Sequence, residues 1–166
     1  MLGLFALALT LGCMDAPAGP VGRDAPAKRT ATAPANGFGD AIAWRGLDEG
    51  LKEAATSHRP LMLVVHASWC PRCKELKPAF GERELVELSE RFVMVNVDQD
   101  AVPQSLQFGP DGTYVPRVVF VDPESGRADP DLRNDRRTRT VYYYGPRDDL
   151  VGTMKKALSR HGETQS

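Results

Sequence analysis

The sequence predicts an α/β domain, a central mixed β-sheet flanked by helices, and three observations carry that prediction. Leu61–His66 and Phe92–Val97 are apolar, partly β-branched runs of strand length. Helical spacing between them makes a right-handed parallel βαβ unit. Arg117–Val121 is a third run, closed by the turn residues Asp122-Pro123-Glu124-Ser125-Gly126, and Thr140–Tyr144 is a fourth, expected antiparallel to the third. Between the first strand and its helix stands Trp69-Cys70-Pro71-Arg72-Cys73.

Taken in order, the chain opens on an apolar leader, residues 1–13. Met1 to Gly12 holds roughly twelve mostly apolar residues, too few for a bilayer span of about 20, and it reads as a secretory signal although no Lys or Arg precedes it. Leu9-Thr10-Leu11-Gly12-Cys13 resembles a bacterial lipoprotein cleavage box, which would lipidate Cys13; ordinary cleavage near Cys13 is the alternative. In residues 14–37, 14 of 24 positions are Ala, Pro or Gly, so the stretch reads as a disordered tether. The domain is expected over residues 38–161, with a short tail at 162–166.

Within the domain, Leu47, Leu51, Ala54, Ala55 and His58 recur at helical spacing, and Pro60 ends that pattern. The helix after Cys70 places Cys73, Leu76 and Phe80 on one face, and Pro78 predicts a kink in it. Leu85, Leu88 and Phe92 mark a further helical piece. Residues 98–115 read as a long loop with a short helix, and loops of that length in compact domains are often functional. Arg127–Arg139 holds five Arg and three Asp; it reads as a solvated hairpin loop, with partner binding as the alternative. Leu150, Val151, Met154, Ala157 and Leu158 stripe the last helix. The 166 residues carry a formal net charge of −1, which gives no electrostatic case for nucleic acid or an anionic membrane surface.

The chemistry gathers at the two cysteines. Pro71 suits a first helical position, because its fixed φ is helical and its missing N–H would lack a partner there. Cys70 then falls at the N-cap, where free N–H groups and the helix dipole favour a thiolate. Cys70 is the expected nucleophile and Cys73, one turn inward, its buried partner. A zinc site would need four ligands, yet the sequence has no second Cys-x-x-Cys and its three histidines are scattered. A non-catalytic pair stapling the helix remains the alternative. Arg72 either favours the thiolate or points into solvent with little effect. His66 is read as a structural histidine before a proton shuttle. Trp69 either shields the pair and contacts substrates or packs in the core.

Strand, helix, strand, then two strands and a helix, with Cys-x-x-Cys at the first strand-to-helix junction, resembles the thioredoxin fold. Trp69-Cys70-x-x-Cys73 and Val115-Pro116-Arg117 resemble the two active-site signatures of that superfamily. Gly50-Leu51-Lys52-Glu53-Ala54-Ala55, Leu76-Lys77-Pro78 and Phe92-Val93-Met94-Val95-Asn96 further resemble the anterior gradient branch of the disulfide isomerases, which includes thioredoxin domain-containing protein 12. The resemblance spans about residues 44–160. It implies a cis Pro116 facing the disulfide, and a Val115 backbone that pairs with an extended substrate. The chain departs from that relative in Pro71-Arg72, where Gly-Ala stands, and in ending without a KDEL-like signal. Val64 stands where thioredoxin carries a buried acid.

The expectation is therefore an exported thiol–disulfide oxidoreductase acting on protein thiols and disulfides, on the oxidising side of thioredoxin, with no dissociable cofactor and no metal. It is read as a monomer with an unidentified redox partner, touching a membrane through lipidated Cys13 if at all. A bacterial envelope or periplasm is the expected address, with the eukaryotic ER lumen as alternative. The rival function is a client-binding or chaperone-like module with weak redox turnover.

Overall fold

The structure, a computed structural model, describes residues 29–162. The leader with Cys13, residues 14–28 of the tether and residues 163–166 lie outside the described residues. Strands β1 (Trp44–Arg45), β2 (Leu61–His66), β3 (Val93–Asp98) and β4 (Arg117–Val121) form one sheet in the order β1-β3-β2-β4. β3 runs parallel to both β1 and β2, and β4 runs antiparallel to β2. The predicted mixed α/β sheet is thus present.

Every residue of β2 is buried, because both faces of the sheet are covered. Side chains alternate along a strand, and the core divides accordingly. Met62, Val64, Met94, Val118 and Phe120 face one layer with Phe80, Leu85, Met154 and Leu158. Leu61, Leu63, Val65, Val95, Val119 and Val121 face the other with Leu47, Ala54 and Phe108. Helix α1 (Leu47–Ser57) covers the second face. Helices α2 (Pro71–Leu76), α3 (Arg83–Ser89) and α4 (Leu150–His161) cover the first. At about 1.5–3 kcal/mol for each large apolar side chain buried, these two layers hold the sheet.

The kink expected at Pro78 takes the form of a change of helix type. α2 ends at Leu76 and the chain continues as a 3-10 turn over Lys77–Gly81. A proline inside an α-helix would lose a ladder hydrogen bond and clash with the turn before it. The loop after β3 contains a 3-10 segment, Pro103–Phe108.

Three expectations are corrected. Thr140–Tyr144 is not a strand. Its backbone groups find other partners: Val141 N donates to Asp111 Oδ2 at 2.6 Å, and Tyr142 N to Tyr114 Oη at 3.1 Å. Tyr142 O accepts from Val118 N at 2.8 Å, and Tyr143 O accepts from Asn134 Nδ2 at 2.9 Å. With donors and acceptors satisfied singly, no ladder forms. The fourth strand of the sheet is instead β1, at the opposite edge.

Residues 29–37 do not continue the tether. Thr32 N and Ala33 N both donate to Trp44 O, at 2.9 and 3.2 Å, and Asn36 Nδ2 donates to Asn96 Oδ1 at 2.7 Å. This stretch covers the open edge of β1, which would otherwise present unpaired backbone. Nor is Arg127–Arg139 a solvated hairpin, since Leu132, Asp129 and Asn134 are buried within it.

Gly50 marks the closest approach of α1 to the sheet. A Cβ there would sit 2.3 Å from Val95 Cγ2, a side chain with no slack. Gly50→Ala is expected to destabilise the fold by about 1–3 kcal/mol through overpacking, despite the better helix propensity of Ala. The check is a lower urea midpoint with an unchanged m-value.

Candidate redox site

The site is assembled where three chain segments meet at one end of the sheet. β2 delivers Ala67-Ser68-Trp69-Cys70, β3 delivers Asp98 and Asp100, and the approach to β4 delivers Val115 and Pro116. Because β2 and β3 are in parallel register, His66 lies beside Asp98. The loop beyond His66 is then tied down by that carboxylate. Ser68 N donates to Asp98 Oδ2 at 2.8 Å, and Asp100 N to Asp98 Oδ1 at 3.0 Å.

Cys70 is the N-cap of α2, Pro71 opens the helix, and Cys70 and Cys73 form a disulfide with Cα atoms 5.3 Å apart. Cys70 Sγ accepts a hydrogen bond from Cys73 N at 3.1 Å. A donor aimed at a sulfur favours its anionic form, so the same contact would stabilise a Cys70 thiolate in the reduced pair. Both cysteines are closely packed, 3% and 1% exposed, in a small cluster with Ala67 and Val115. The Val115–Pro116 peptide bond is cis, and Val115 O lies 3.8 Å from Cys70 Sγ.

Trp69 is 62% exposed, which removes the core-packing alternative. Its Nε1 donates to Asp100 Oδ2 at 2.7 Å, so the indole is held as a fixed apolar face beside the pair. Arg72 is also exposed, but its Nη1 lies 2.9 Å from Glu75 Oε2. The positive charge beside Cys70 is therefore offset by a carboxylate one turn on. Val64 is buried among apolar side chains, so no acid stands there. Among the described residues no three His, Cys, Asp or Glu side chains are gathered as a metal site.

Five contributors were given no role from the sequence. Asp98 and Asp100 fix the cysteine loop and the indole. Their position just beyond a parallel strand, level with the end of its neighbour, was the available signal. Asp111 and Tyr114 fix the other wall. Tyr114 Oη donates to Asp111, and both grip the backbone of Val141 and Tyr142. Asp111-Gly112 reads as a mere turn, and nothing local reveals that partner thirty residues away. Arg117, directly after Pro116, is fully buried; its Nη1 donates to Tyr114 O and its guanidinium stacks 6.0 Å from the Tyr114 ring. Burial pushes this guanidinium below its ordinary pKa, with Tyr114 and Asp111 acting the other way.

Residues 43–123 match the family model described as thioredoxin-like. The chain is 42% identical over 127 residues to the anterior gradient protein 2 homolog of Mus musculus, spanning 74% of this chain and 70% of that protein. It is 39% identical over 137 residues to anterior gradient protein 3 of Mus musculus, spanning 79% and 80%. The solved structure of a thioredoxin from Thermus thermophilus aligns with a TM-score of 0.57 at 21% identity, covering 74% of this chain and 91% of that one. The last likeness is one of fold.

His66 sits under the cysteine loop, 4% exposed and 4.9 Å from the Phe38 ring, with Nε2 buried and unpartnered. Burial lowers its pKa from 6.5, and Lys77 adds to this while Asp98 and Asn96 oppose it. The folded state thus binds fewer protons than the unfolded state just below pH 6.5, and stability falls as pH drops through that window. Glu53, Asp129 and Asp148 behave otherwise. Burial alone would raise them, but hydrogen bonds and cations hold them below 4.5 and 3.8, so their loss comes at lower pH. Thermal midpoints between about pH 7 and 5 should decline in the wild type and more shallowly in His66→Gln. Parallel declines would clear His66.

Proposed function

The chain belongs to the anterior gradient branch of the thioredoxin-like family, and on that premise we propose that it is a thiol–disulfide oxidoreductase acting on protein substrates through Cys70 and Cys73. The observation that carries this reading is the Cys70–Cys73 disulfide at the start of α2, with Val115 packed against it and Val115 O 3.8 Å from Cys70 Sγ. In the oxidising direction a substrate thiolate attacks Cys70 Sγ, forming a mixed disulfide and releasing Cys73 as thiolate. A second substrate thiolate then attacks the substrate sulfur, releasing Cys70 as thiolate. The substrate loses two electrons and two protons, and the pair gains them. A small-molecule disulfide such as oxidised glutathione reverses the change in the pair. In the other direction reduced Cys70 attacks a substrate disulfide and Cys73 resolves the intermediate.

Each neighbour has a proposed part. Val115 presents its backbone to an extended substrate, and Pro116, lacking an N–H, shapes that wall. Trp69 offers the apolar contact. Pro71 starts the helix, and Arg72 borders the nucleophile. The couple is placed on the oxidising side of thioredoxin, whose potential is about −270 mV, and the support for this is the Cys73 N–H aimed at Cys70 Sγ. Arg72 contributes little to it because Glu75 offsets its charge.

We place the protein in an exported, oxidising compartment, where a disulfide persists. The anterior gradient relatives are vertebrate proteins, which favours a secretory-pathway address over the bacterial envelope and lends lipidation of Cys13 no support. The competing reading is a client-binding module. One observation favours it: in the disulfide form Cys70 is 3% exposed while Trp69 beside it presents 62%.

Refolding of a reduced, multi-disulfide protein in glutathione buffer tests the assignment. Cys70→Ser should reduce turnover to background, whereas Cys73→Ser should accumulate a mixed disulfide visible as added mass on Cys70. Client binding at full strength by a wild-type chain that never turns over would establish the binding module instead. The potential itself, titrated against glutathione, should exceed that of thioredoxin. Arg72→Ala should leave it nearly unchanged, since the charge is exposed and already paired with Glu75. A larger shift would show that Arg72 sets the potential after all.

A further inference from the structure

A cleft of about 850 Å³ lies between α2, the helix that the cysteine pair opens, and the loop that leads into α4. Arg72 and Glu75 form its α2 wall, and Arg136, Arg137, Arg147 and Asp148 stand opposite. Four arginines face two carboxylates there, on a chain whose formal net charge is −1.

The imbalance arises from how the fold sorts the Arg/Asp-rich segment. Its acids are taken up by α4. Asp129 lies 2.9 Å from Arg160 and 2.8 Å from His161, Asp131 lies 3.1 Å from Arg160, and Asp135 lies 3.5 Å from Lys156. Its arginines at 136 and 137 turn the other way, toward α2. Arg137 is held in place by Asp148 at 2.7 Å and by stacking 4.4 Å from the Tyr143 ring, and its buried Nε meets no acceptor. Burial alone would raise the Asp148 carboxyl, but Arg137 and the Gly145 N–H hold it low. Asp148 is thereby committed and does not neutralise the rest. Arg136 donates to Arg147 O at 3.1 Å. Among the described residues, neither Arg136 nor Arg147 has a carboxylate partner.

We infer that this cleft recognises acidic segments of protein substrates, selecting thiols and disulfides that have Asp or Glu a few residues away. The inference rests on the proposed redox function of Cys70 and deepens it. Arg72 lines the cleft and stands between the two cysteines in the chain, so the recognition surface shares a residue with the Cys70–Cys73 turn. An extended peptide advances about 3.3 Å per residue, and the side chains a few residues from a cysteine seated on Cys70 are those assigned to the cleft. Arginine suits the task, because its planar fork binds carboxylates in pairs and stays charged.

Three matched disulfide-bonded peptides, flanked by Glu, Gln or Lys, serve as probes of the reduced chain. At low salt the Glu peptide should exchange about five- to tenfold faster than the Gln peptide, and the Lys peptide slower than both. The differences should vanish near 1 M salt, where the Debye length is about 3 Å. In an R136A/R147A variant, which alters two exposed side chains, the Glu-to-Gln ratio should fall toward one. The Lys peptide on the wild-type chain tests the same point without relying on the variant's folding. Equal rates for all three peptides, or a ratio that survives R136A/R147A, would overturn the inference. Fluorescence anisotropy of a cysteine-free Glu peptide on the oxidised chain separates this from the redox reading. Binding that R136A/R147A abolishes, in a chain that exchanges with no peptide, supports the cleft and sinks the oxidoreductase. Absence of binding sinks the cleft.

Discussion

Strand β2 is hydrogen-bonded on both sides, to β3 in parallel and to β4 in antiparallel register, and all six of its residues are buried. A strand in that position has no freedom to slip, because a shift of one residue would turn Met62 and Val64 from one core layer into the other. Its end is therefore one of the most rigidly located points in the molecule. That is where Ala67 to Cys70 leave the sheet. The two neighbouring strands bring their own contributions to the same end: β3 finishes at Asp98, and β4 begins just after Pro116. The meeting of Cys70, Asp98 and Val115 is thus a consequence of pairing and burial, fixed before any of the three interacts.

Polar side chains then refine what the sheet places. Asp98 satisfies the backbone of Ser68, and Asp100 holds the Trp69 indole. On the far wall Asp111 and Tyr114 take the backbone donors of Val141 and Tyr142. These contacts join loops that lack ladder partners, and each gives a backbone or indole donor a protein acceptor in place of water. The same economy explains the loss of the expected fourth strand. Once side chains and a single bond from Val118 had satisfied Thr140–Tyr144, pairing offered that stretch little more.

Much of the site was legible in one dimension. The Cys70 N-cap, the Pro71 start and the burial of Cys73 follow from local rules of helix geometry, and each holds in the structure. The strands at 61–66 and 117–121 were legible for a similar reason, since apolar runs of that length bury both faces. Arg72 shows where local reading fails. Its neighbourhood to Cys70 was plain, but its pairing with Glu75 is a matter of side-chain direction. The Arg/Asp-rich segment fails more fully. Its composition reads as solvated, whereas Leu132 anchors it and α4 draws off its acids.

By itself, then, the sequence determined the α/β class, the order of its main elements and the placement of two cysteines at a helix start, because these depend on periodicity and on residues close in the chain. Tertiary structure alone decided which edge carries the fourth strand, which carboxylates hold the cysteine loop, and which arginines are left unpaired beside it. Those outcomes depend on partners tens of residues apart, chosen by competition for the same donors, acceptors and charges. No local pattern encodes the result of that competition.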